Sequence, residues 1–110
     1  MSRVAMRCVA DFCCVPLGVG ASVGREVAAA CRYLKEFENG SLKTMTHAYG
    51  TNIEGEMSQV LRALEGVHRF LHQEYAVPRI STTVKIGTRI DKDQTMEDKI
   101  EAVRSRNGKL

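Results

Sequence analysis

Two stretches of this chain repeat apolar residues every third or fourth position, and short strand-like runs bracket both. The first stripe is Val23, Val27, Cys31, Leu34 and Phe37, with Ala28, Ala29 and Ala30 between them. The second is Met57, Val60, Leu61, Leu64, Val67, His68 and Leu71. This is the period of helices with one buried face. Ser22 is a favourable N-cap, so the first helix is predicted over 22–38, with Asn39-Gly40 as its stop. The second helix opens at Gly55-Glu56 and closes near Tyr75-Ala76, ahead of Pro78.

The bracketing runs read as strands. Residues 7–15 (RCVADFCCV) are apolar and small and end at Pro16. Leu42–Tyr49 forms a second run and Thr51–Glu54 a third, joined as a hairpin at Gly50, and residues 79–86 form the fourth. The order βαββαβ is the ferredoxin-like pattern, an α+β sandwich. Thr95 caps a short C-terminal helix, with Asp98 as an imperfect capping-box partner and Met96, Ile100 and Val103 expected inward. A basic tail (about 105–110) is expected to fray. At 110 residues, the whole span 1–110 is expected to form one domain, with no repeat beyond the βαβ echo.

Right-handed crossovers put both main helices on one face of the sheet. Alternation then sorts the side chains. Ala10, Phe12, Cys14, Ile80, Thr82, Val84 and Ile86 are expected to face the helices. Asp11, Cys13, Asn52, Glu54, Ser81, Thr83 and Lys85 are expected on the bare face. That set is either a solvated or subunit-covered face, or a polar pocket completed by oligomerisation. Thr51 and Thr82 are a second candidate set, with hydroxyls on the apolar side, although buried threonines commonly satisfy themselves on backbone carbonyls.

Other chemistries find little support. The four cysteines, Cys8, Cys13, Cys14 and Cys31, lack zinc-site spacing, and no metal is expected. His68 and His72 are spaced i, i+4, but without a HExxH motif they read as a helix face. A net charge of +3 with scattered basic residues gives no nucleic-acid signature, and the third strand has no aromatic platform for RNA. Gly18-x-Gly20 lacks the rest of a dinucleotide or P-loop fingerprint. Residues 16–24 offer no arginine for an acylphosphatase-like phosphate loop. No apolar run approaches a membrane span. Arg3 and Arg7 precede an apolar stretch, but Asp11 interrupts it and no cleavage site follows, so a reduced, cytoplasmic protein is expected.

Taken together, Ala10-Asp11 through Val15-Pro16-Leu17-Gly18, Gly50-Thr51-Asn52-Ile53-Glu54-Gly55, Ser81-Thr82-Thr83-Val84-Lys85-Ile86, and Asp91-Lys92 with Thr95-Met96-Glu97-Asp98-Lys99 resemble the YkoF-like small thiamine-binding protein family over roughly 8–104. His47-Ala48-Tyr49-Gly50 and Gly87-Thr88-Arg89 look closer to its fungal members. Cys13 stands where bacterial members carry serine, and Asn52 where an apolar residue or threonine is common. The resemblance implies a homotetramer built as a dimer of dimers through the sheets, and non-enzymatic binding of thiamine or its pyrimidine moiety, for buffering or delivery. Thiamine is then a ligand, and no cofactor is implied.

A carboxylate, Glu54 or Asp11, would favour the thiazolium cation. Thr51, Asn52, Thr82 or Thr83 would read the pyrimidine edge, with Cys13 nearby. Tyr49 would stack or offer a cation–π face. The rival expectation is a regulatory or scaffolding homo-oligomer with no small-molecule ligand.

Overall fold

Alternation along residues 7–17 builds the centre of the sheet, because Cys8, Ala10 and Phe12 are buried while Asp11 and Cys13 turn to the other side. The computed structural model describes residues 5–108. It runs β1 (Arg7–Leu17), α1 (Gly24–Glu36), β2 (Lys43–His47), β3 (Gly50–Glu56), α2 (Met57–Glu74), β4 (Arg79–Gly87) and α3 (Met96–Asn107). The strands form one antiparallel sheet in the order β2-β3-β1-β4. The fold is therefore the ferredoxin-like one that the sequence predicts.

Helices α1 and α2 cover one face of the sheet. Ala29, Ala30 and Leu34 of α1 and Val60, Ala63, Val67 and Leu71 of α2 close on Phe12 and Ile53. Each large side chain buried in this way contributes about 1.5–3 kcal/mol. The two helices meet closely at Gly66, where a Cβ would lie 2.0 Å from the Tyr33 hydroxyl. Any larger residue there would displace the Tyr33 ring.

Several boundaries differ from expectation. Helix α1 starts at Gly24, two residues after Ser22, and Val23 holds the N-cap position without a side-chain hydrogen bond. Strand β1 continues through Pro16 to Leu17, paired with β4 only, since its pairing with β3 ends at Phe12. A proline is tolerated where the strand has lost one neighbour. Helix α2 starts at Met57, because the Glu56 carboxylate caps it by accepting from the Ser58 and Gln59 amides.

Helix α3 carries a complete capping box between Thr95 and Asp98. It runs to Asn107, so residues 105–107 of the expected frayed tail are helical; 109–110, like Arg3, lie outside the described residues. Of its three predicted inward residues, Met96 is buried, Ile100 is half-buried and Val103 is exposed. The helix is thus anchored by its first turn.

Candidate functional site

The register settles which side chains share a face. Phe12 pairs with Thr51 and Val84, and Asp11 pairs with Asn52 and Lys85. Thr51 and Thr82 therefore lie on the helix side, and Asp11, Cys13, Asn52, Glu54 and Thr83 on the other. Both placements match the alternation in the sequence.

A cavity of about 210 Å³ opens on the helix side, between α1 and the β2–β3 hairpin. Its sheet wall is Phe12, Cys14 and Thr51; its helix wall is Val23, Val27, Ala30, Cys31 and Leu34; His47, Ala48 and Tyr49 stand at the hairpin end. The helix wall is the apolar stripe of α1. Its alanine and cysteine leave the space that larger residues would fill. Among the described residues, no aspartate, glutamate, lysine or arginine lines the cavity.

The polar groups of the cavity are hydroxyls and thiols, with the His47 imidazole at the hairpin end. Cys31 Sγ lies 3.6 Å from the Thr51 hydroxyl, which is buried. The Thr46 hydroxyl donates to Cys31 Sγ at 3.7 Å. Burial pushes the Cys14 thiol up, so it remains protonated at neutral pH. The interior of the cavity is neutral and offers a small set of donors and acceptors on one wall.

The hairpin end is held by a hydrogen-bond chain. The Tyr49 backbone N–H donates to His47 Nδ1 at 3.3 Å. That leaves His47 Nε2 carrying the proton, and it donates to Asp11 Oδ1 at 2.6 Å. Asn52 Nδ2 donates to the same oxygen at 3.2 Å. Asp11 and Asn52 thus orient the hairpin from the far side of the sheet. Gly50 lets the hairpin lie against β1, since a Cβ there would come within 2.6 Å of the Phe12 carbonyl oxygen. The Tyr49 side chain is 87% exposed beside the opening.

The eight sequence candidates therefore divide. Thr51 and Tyr49 border the cavity, and Cys13 lies at its edge although its position in the register turns its side chain to the other face. Thr82 is drawn away to α2, where its hydroxyl meets His68 Nε2 at 2.6 Å. Thr83 is exposed on the other face. Glu54, placed among the ligand residues because a carboxylate suits a cation, is already engaged. Its Oε1 accepts from the Met96 amide of α3 at 2.8 Å and its Oε2 lies 3.7 Å from Arg7. The cavity also takes in Cys31, Thr46 and His47, which were not among the sequence candidates. Cys31 was visible in the α1 stripe, but only the register places Thr46 and Thr51 opposite it.

Comparison with known proteins bears on the family and the fold. Residues 10–104 match the sequence profile of a family described as thiamine-binding protein. A UPF0045 protein of Synechocystis sp. is 46% identical over 90% of this chain and 78% of its own length. A UPF0045 protein of Eremothecium gossypii is 37% identical over 84% of this chain and 86% of its own. The crystal structure of a hypothetical protein from Methanocaldococcus jannaschii superposes with a TM-score of 0.80 at 34% identity, covering 96% of this chain and 99% of that one. A Thermotoga maritima protein provisionally described under thiamine biosynthesis and salvage shares the fold, with a TM-score of 0.73 at 17% identity over 89% and 99% of the two chains.

Proposed function

Because this chain belongs to the thiamine-binding protein family, we propose that it binds thiamine by taking the pyrimidine half into the cavity between α1 and β3. The observation that carries this reading is a neutral cavity of about 210 Å³ with the Thr51, Cys31 and Thr46 group on one wall. A dry cavity of about 150 Å³ holds a benzene ring. A substituted six-membered heterocycle therefore fits here, with its ring nitrogens and amino group facing the Thr51 and Cys31 wall. The thiazolium then lies at the opening. Tyr49 offers its ring face there, an interaction of about 0.5–1 kcal/mol at an exposed site. Asp11 stands behind His47 and adds a favourable field for the cation.

The role is binding, for buffering or delivery in the cytoplasm, without turnover. Burial keeps the Cys14 thiol protonated, which is the wrong state for a nucleophile. Assembly into a homotetramer through the open sheet face accompanies this role; Val15, Leu17 and Met45 are partly exposed there. Calorimetry with thiamine, and with its pyrimidine alone, tests the reading. Both should bind, and Ala30→Leu, which fills the cavity, should weaken both by about tenfold or more. No measurable heat at millimolar thiamine would overturn it.

A further inference from the structure

We propose a second ligand site, for a small oxyanion, on the opposite side of the sheet from the ring cavity. A cleft of about 90 Å³ lies between the start of β1, the β4–α3 loop and the first turns of α3. Its volume equals roughly three waters, enough for one phosphate-sized ion. Among the described residues, four cations from separate parts of the chain line it: Arg7 on β1, Arg89 and Lys92 on the loop, and Lys99 on α3. The lining carboxylates are Glu54 and Asp93.

The partners of these groups show what remains unpaired. Glu54 gives one oxygen to the Met96 amide, and Arg7 stands 3.7 Å from the other, too far for a hydrogen bond. Asp91, outside the cleft wall, takes the Arg89 guanidinium on two nitrogens, and Gln94 takes the third at 3.2 Å. Arg89 is thereby fixed in direction. Among the described residues, no carboxylate comes within 4.0 Å of the Lys92 or Lys99 ammonium.

The end of helix α3 is not the donor. The Thr95 amide donates to Asp98, the Met96 amide to Glu54 and the Asp98 amide to Thr95. An anion would be held by side-chain cations that converge from three parts of the fold. A concave lining with four cations against two carboxylates focuses a net positive field on its centre. Bound there, a phosphoryl group would tie Lys99 and Lys92 to Arg7, and so brace α3 against the sheet at the turn that already anchors it.

The ligand class is a free phosphate or the phosphoryl group of an organic ester. Thermal unfolding and calorimetry with inorganic phosphate test the site, against chloride at equal ionic strength. Phosphate should stabilise the protein and slow amide exchange in α3. Lys92→Gln and Lys99→Gln should each weaken it by about fivefold or more, without unfolding the chain, since neither ammonium forms an ion pair among the described residues. Phenyl phosphate separates the two sources: tighter binding than inorganic phosphate assigns an ester, weaker binding the free ion. Stabilisation by chloride equal to that by phosphate, or undiminished phosphate binding in the double variant, would overturn the proposal. Neither result bears on thiamine binding, which uses the other face.

Discussion

Glu54 distinguishes the two faces of the sheet most sharply. A carboxylate in this part of the chain reads naturally as a counter-ion for a cationic ligand. In the structure it is the latch of α3. Replacing it by leucine removes the acceptor of the buried Met96 amide, at 2.8 Å. Losing a hydrogen bond to a charged group costs about 1.5–3 kcal/mol. The Arg7 contact adds little, because Arg7 is 62% exposed and such pairs are worth about 0–1 kcal/mol. The population with α3 detached should therefore rise roughly ten- to hundredfold.

Native-state hydrogen exchange reads this directly at the Lys99 amide, which is bonded to the Thr95 carbonyl at 3.2 Å. Glu54→Gln keeps an acceptor and should cost about 1 kcal/mol. Thiamine affinity should stay within about twofold in both variants, since neither alters the cavity wall. If Glu54→Gln left α3 exchange unchanged and thiamine binding fell by an order of magnitude, the carboxylate would be a ligand group and the reasoning would fail.

Gly50→Ala should destabilise by about 1–3 kcal/mol in urea denaturation, because its Cβ would meet the Phe12 carbonyl at 2.6 Å; an unchanged midpoint would contradict the tight hairpin contact. His68 is held below its ordinary value of 6.5, chiefly by burial and then by the charge of His72. A base whose folded pKa is depressed contributes its full stability above the unfolded value and loses it as pH falls below that value. Stability should therefore decline below pH about 6.5, and His68→Gln should remove that part of the decline; a variant with the same pH profile would refute the assignment.

The fold was legible because each local signal agreed with the others. Two helical stripes, a Gly-flanked hairpin and alternating strands admit one ordinary order of elements, and the facing of Asn52 and Thr51 followed from alternation alone. The ends of elements were harder to read. Ser22 has the chemistry of an N-cap, yet the chain turns into α1 two residues later. Pro16 reads as a strand end, yet half-paired β1 accommodates it. The candidate site was only partly visible, since its helix wall is an ordinary apolar stripe and its vacancy comes from small residues at Ala30 and Cys31. The tie from Glu54 to α3 was not legible, because its partner, the Met96 amide, lies forty-two positions away and is a backbone group without side-chain identity.

Backbone and methyl NMR titration with thiamine tests the central claim most directly. The account predicts the largest shifts at Thr51, Cys31, Thr46 and Ala30, with Thr83 and Lys85 on the opposite face little changed. Shifts concentrated on Asn52, Thr83 and Lys85, with the α1 wall unmoved, would place the ligand on the other side of the sheet and contradict it.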